Sequence, residues 1–248
     1  MVLGLNKAPK NGNKIPAQAD LLFINLAEQV KTPFVQIAHA AELLQASPNR
    51  REIERIHQEI TVTSKSALQL IDGYLLSVEL QREATPMLES VSISAVLYDA
   101  ANSLNEYANA NGCKLELSVE GRYGPVMGHR KAMLAALISL GYSVIETCTK
   151  HKSKDVPKVR LAVSRTAKGF RTGIYMNKPI TKSMLSQAKT LVGFSHQPFS
   201  ALDSNNGSGI FIADSLFTRL HTPLRVTRNN GYYGFAATLI PSRQLSLV

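Results

Sequence analysis

The sequence predicts an α+β protein in which an N-terminal antiparallel helical hairpin, pairing into a dimeric four-helix bundle, precedes an α/β sandwich. Three observations predict it. Apolar residues recur every three or four positions from Leu22 to Val78 with a single break at Ser47-Pro48-Asn49. From Ala84 onward the period changes to short alternating segments mixed with shorter helical ones. The charge divides with the pattern: of a net +10 over 248 residues, residues 1–19 carry +3, residues 20–120 carry −7 and residues 121–248 carry +14.

Taken in order, residues 1–19 hold Lys7, Lys10 and Lys14 among prolines and Asn-Gly-Asn, with no apolar period, and read as a flexible basic tail. Residues 20–83 are the hairpin. Leu22, Leu26, Val30, Pro33, Ile37, Ala41 and Leu44 mark one helix; Asn49, with Glu52 three residues on, caps a second through Ile53, Ile56, Ile60, Ala67, Leu70, Tyr74 and Val78. Two long helices joined so closely lie antiparallel, and each has one apolar stripe, so two hairpins pair to bury both. Residues 84–248 are the sandwich. An extended stretch spans Met87 to Ile93, and helices span Ala95 to Ala110 and, apolar nearly all round, Arg130 to Glu146. Cys113 to Val119, Val159 to Ser164 and Gly173 to Met176 read as strands, and Ser183 to Leu191 as a weak helix. Asn205-Asn206-Gly207-Ser208-Gly209 opens an apolar helix to Leu220, and Leu224 to Thr227 with Gly234 to Ile240 form a hairpin about Asn229-Asn230-Gly231.

Composition excludes several classes. At 44% apolar the chain has material for a core and is not a disordered one. Two cysteines, Cys113 and Cys148, make no disulfide framework and have no zinc-ligand spacing, so both read as core fillers in a reducing, cytoplasmic setting. No run approaches the ~18 apolar residues of a membrane span.

Three stretches carry a resemblance. Ala27-Glu28-Gln29-Val30-Lys31-Thr32-Pro33, Gly124-Pro125-Val126-Met127-Gly128-His129-Arg130 and Gly207-Ser208-Gly209-Ile210-Phe211-Ile212-Ala213 occur in the order and at the spacing of motifs in sensor histidine kinases. From Asp20 to Pro241 the chain resembles the transmitter region of that family, a phosphoacceptor bundle followed by an ATPase-type domain. The resemblance implies a two-component signalling protein, and it also implies losses. The phosphoacceptor histidine is replaced by Glu28, whose carboxylate is a poor phosphoryl carrier, and the neighbouring general base by Gln29, whose amide takes no proton at neutral pH. Gln29 and Thr32 keep a polar pair that family members use to orient water. Ser143 stands where the family has a magnesium-binding asparagine, and a serine hydroxyl is the weaker ligand. Near Met176-Asn177-Lys178-Pro179 the adenine-binding aspartate and its glycines are missing, and between Pro179 and Gly207 the lid is unrecognisable. Gly207 and Gly209 survive in the second glycine motif, where Phe211 replaces the third glycine.

The implied function is therefore a histidine kinase-like regulator without phosphotransfer activity, a pseudokinase with no catalytic residue and no cofactor. Its partners are a second copy or a related kinase, and a response-regulator receiver domain docked on Glu28, Gln29, Lys31 and Thr32. ATP with magnesium remains a candidate ligand through Ser143, Gly207 and Gly209 if that site still works, which would leave a divergent kinase or a response-regulator phosphatase. His39, on the same helical face as Glu28, is the alternative phosphoacceptor. The third reading is nucleic-acid binding on the same scaffold. Residues 150–182 hold ten Lys or Arg, Lys150, Lys152, Lys154, Lys158 and Arg160 among them, against the single acid Asp155.

Overall fold

The computed structural model describes residues 31, 33–45, 49–150, 156–180 and 208–242. Glu28, Gln29, Thr32, Lys152, Lys154, Gly207, the basic tail and the weak helix over Ser183 to Leu191 lie outside the described residues.

Residues 33–45 form helix α1, and α2 runs over Arg50–Arg82. Asn49 starts α2 as its sequence context predicts: its side chain accepts the Arg51 N–H at 3.1 Å and its carbonyl the Ile53 N–H at 3.0 Å. The long helix has two faces with different fates. Ile56, Val62, Ala67, Tyr74, Ser77 and Leu80 are buried, while Leu68 and Leu75, seven residues apart, are exposed.

The sandwich follows as β1 (Glu89–Val91), α3 (Ile93–Ala110), β2 (Lys114–Ser118), β3 (Val126–Gly128), α4 (Arg130–Lys150), β4 (Lys158–Thr166), β5 (Gly169–Met176), α5 (Ser208–Arg219), β6 (Arg225–Asn229) and β7 (Tyr232–Leu239). The strands make a five-stranded sheet in the order β2-β4-β5-β7-β6, with β2 parallel to β4 and the remaining pairs antiparallel; β1 and β3 form a separate two-stranded ladder. Alternation along the strands turns Val159, Leu161 and Val163, Ile174 and Met176, and Phe235, Ala237 and Leu239 toward the helices, where they join one core. Helix α3 adds Ile93, Val96, Leu97, Ala100, Leu104 and Ala108, a stripe at helical spacing behind the N-cap Ser92.

Helix α4 is the spine. Met133, Leu137, Leu140, Ile145 and Cys148 are buried on different sides of it. Residues Arg130–Thr149 are long and apolar enough to cross a membrane, contrary to the expectation from apolar run length, but 78% of that window is buried inside the fold, as for a core helix. His129 begins it, accepting the Ala132 N–H on Nδ1 at 3.2 Å.

The same core extends into α2, since Tyr74 and Leu80 belong to it. Two features make the approach close. A Cβ at Gly73 would stand 2.9 Å from Ser139 Oγ on α4. Arg219, ending α5, donates from Nε and Nη2 to the carbonyl of Leu80 at 2.9 and 2.6 Å and from Nη2 to that of Glu83, satisfying carbonyls that the end of α2 leaves open.

Several boundaries differ from the sequence reading. Ile93 opens α3 instead of ending an extended stretch, because Ser92 caps the helix. Helix α4 runs four residues beyond Glu146. Strands β4 and β5 are nine and eight residues long, their outer halves being polar on the face away from the core. The final hairpin turns at Asn230 and Gly231, with φ of 44° and 80°, the paired left-handed residues of a tight hairpin turn.

Candidate functional site

The positions that the sequence assigns to a nucleotide sit where α4 meets α5 and where β5 ends. Ser143 is on α4 and only 3% exposed. Gly209, in the first turn of α5, lies against it: a Cβ there would stand 1.9 Å from the Ser139 carbonyl oxygen and 2.5 Å from Ser143 Oγ. The two helices therefore touch through main chain, and the Ser143 hydroxyl faces the neighbouring helix. Ser139 Oγ is buried at the same junction and makes no hydrogen bond within the described residues. Among the described residues no group of three or more His, Cys, Asp or Glu side chains could hold a metal ion.

Asn177 follows β5, where the sequence places the lost aspartate. Its Oδ1 accepts the Lys158 N–H at 3.2 Å and the Cys148 Sγ lies 3.6 Å away, so it is held among β4, β5 and α4. Lys178 beside it donates to the Cys148 carbonyl at 2.6 Å. Cys113 and Cys148 are both free thiols, and both are buried. A hydrogen bond from the Cys113 thiol, with the Lys178 ammonium nearby, holds Cys148 down to about 7, and the same bond together with burial pushes Cys113 up.

The basic residues divide. Arg160 makes a two-pronged ion pair with Glu116 Oε2, at 3.2 Å from Nε and 2.9 Å from Nη2, across the parallel register that sets the two residues opposite each other. That guanidinium holds the Glu116 carboxyl below the usual carboxylate range. Arg160 also lies 3.9 Å over the Tyr232 ring. It is thus an intramolecular tie between β2, β4 and β7, a role with no signal in the sequence because Glu116 lies 44 residues away. Lys158 opens β4, half-buried, and Lys150 ends α4.

On the hairpin, Lys31 is exposed, and His39 is exposed with the Glu42 carboxylate 4.0 Å away. Phe34, Val35 and Leu43 on α1 and Leu68 and Leu75 on α2 are large apolar side chains between 44% and 60% exposed. A cleft of about 510 Å³ lined by Gln36, Arg55, Glu59, Tyr107 and Glu146 runs between the hairpin and the sandwich. The ion pair of Lys65 with Glu106, at 2.6 Å, bridges α2 and α3.

No protein-family model matches the sequence, and no curated protein matches it. Solved structures do match in fold. The Acinetobacter baumannii histidine kinase AdeS shares 14% identity over 86% of this chain and 97% of its own, with a TM-score of 0.51. Histidine kinase ThkA, solved in complex with the response regulator protein TrrA, shares 12% over 89% of this chain and 61% of its own at 0.55. Full-length ShkA in complex with AMPPNP shares 16% over 91% and 46% at 0.51. The hairpin and sandwich therefore define a protein of histidine kinase-like fold. At such identities the likeness is one of fold, and activity has to be argued from this chain's own side chains.

Proposed function

We propose that this chain is a two-component signalling protein that works by binding and transfers no phosphate. The observation that carries this reading is the engagement of the nucleotide-end residues by the protein itself. Magnesium requires oxygen donors free to take octahedral positions, and Ser143 is buried against Gly209. Adenine recognition requires an open acceptor, and Asn177 spends its amide oxygen on β4 and Cys148. The described residues therefore do not fit a magnesium nucleotide. Glu28 and Gln29 in place of the family's nucleophile and base agree with that at the other end of the reaction.

The exposed apolar positions on α1 and α2 support pairing with a second copy through the hairpin, in which Phe34, Leu43, Leu68 and Leu75 lose their contact with water. The response-regulator complex of ThkA supports a receiver domain as the other partner. It docks around Lys31, just ahead of α1, and the sequence positions Glu28, Gln29 and Thr32 that flank it, in a cytoplasmic setting.

The test is a binding titration of the full chain against the receiver domains of its own cell, each free and activated with beryllofluoride. Micromolar binding of at least one, weakened several-fold by Lys31→Glu, is the expected result. Failure of every receiver domain, with the chain folded, overturns the partner assignment.

A further inference from the structure

The sheet has a second face, away from the helices, and it holds a groove that none of the motifs accounts for. The groove is about 710 Å³ in volume and is lined by Lys168 in the β4–β5 turn, Arg171 on β5, and Arg225 and Thr227 on β6, with His221 and Ile240 at its edges. Arg171 alternates with Phe170, which packs toward the core, so its side chain belongs to the outer face. It reaches across β7 and donates from Nη1 to Thr227 Oγ1 at 3.3 Å, which brings it to the strand that begins with Arg225.

Like charges on neighbouring strands repel unless a counter-charge lies between them. Among the described residues no carboxylate lines the groove, and Lys168, Arg171 and Arg225 make no ion pair. This differs from Arg160, on the same face, whose charge Glu116 answers. The groove is open to solvent along the sheet, in the half of the chain that carries +14. Ala236 and Pro223 also line it, and the exposed Ile240 adds apolar surface at its rim.

We propose that this groove binds single-stranded nucleic acid. Arginine forks and a lysine ammonium take successive phosphates, and an unpaired base lies against the apolar lining, which a duplex with its bases stacked inside cannot supply. The inference goes beyond the signalling role and is independent of it, because neither the α4–α5 junction nor the hairpin contributes to the groove.

The experiment is fluorescence anisotropy with the full chain, a short labelled oligothymidylate, the matching duplex, and polyglutamate as competitor, over a series of salt concentrations. Lys168→Glu/Arg225→Glu reverses two exposed groove cations, and Arg51→Glu/Lys131→Glu makes the same change in net charge elsewhere. The expected result is single-strand binding that the groove variant weakens by on the order of tenfold or more, with a salt slope shallower by about 1.4, while the control variant keeps the wild-type slope. Lys168→Gln/Arg225→Gln reads the same sites should the reversal variant fail to fold. Four results overturn the proposal: no binding by the wild type, equal weakening by both reversals, duplex binding as tight as single-strand binding, or displacement by polyglutamate at equal charge, which assigns the groove to an acidic protein surface.

Discussion

Gly209 rests on the main chain of Ser139, with space for a hydrogen and nothing larger. This contact sets the distance between α5 and α4, and it gives Gly209 a packing role. Gly209→Ala forces a methyl into a carbonyl oxygen and should cost about 3 kcal/mol, read as a lower midpoint in urea unfolding. Gly124, whose added Cβ meets nothing within 4 Å, is the control, and Gly124→Ala should leave the midpoint nearly unchanged.

Arg219 joins the end of α5 to the end of α2. Arg219→Ala leaves the carbonyls of Leu80 and Glu83 without this donor and should destabilise the chain by about 1–3 kcal/mol. Hydrogen exchange separates this from a general loss: the amides at the end of α2 should exchange faster, and those of β4 and β5 should not.

The hairpin's outer face makes a further prediction. Leu68→Glu/Leu75→Glu places two charges on the exposed stripe of α2 and should convert a dimer to a monomer in sedimentation equilibrium, with helix content retained. Dimers that persist in this variant place the pairing surface elsewhere.

Tyr142 is buried against Tyr107, the rings 4.6 Å apart and edge to face. Burial, with the Glu106 carboxylate nearby, pushes its phenol up to about 12 from an ordinary 10.0. A phenol raised in the folded state favours folding fully below its unfolded value, and the contribution is lost as the pH rises through the folded one. Alkaline unfolding should therefore draw on this group between about pH 10 and 12. Tyr142→Phe should make that part of the stability profile shallower, measured by urea unfolding across the range, the remaining slope belonging to Tyr107 and Tyr175, whose phenols burial also pushes up.

Much of this architecture is legible in the sequence, for local reasons. Asn49 caps α2 by its own side chain, the stripe from Val96 to Ala108 is regular, and Asn230-Gly231 makes a turn that few other pairs make. Strand β3 is not legible, because three residues inside a turn motif give no alternation to count. The closure of α2 on the sandwich is not legible either. Gly73 has no apolar signal, and its value lies in being small where α4 comes close. At the site, the sequence identifies Ser143 and the region of Asn177 as altered and Gly209 as retained, but what these residues do depends on Ser139, Cys148 and Lys158, brought to them only by the fold. Arg160 reads as one member of a basic run and proves to be the partner of Glu116.

The central claim, a histidine kinase-like protein whose nucleotide end has become packing, is tested most directly by titration calorimetry of the full chain with ATP and magnesium at high protein concentration, with ADP and a non-hydrolysable analogue alongside. The account predicts no heat of binding and no thermal stabilisation by any of the three. Saturable binding of ATP at micromolar concentration, dependent on magnesium and lost in Ser143→Ala, would contradict it.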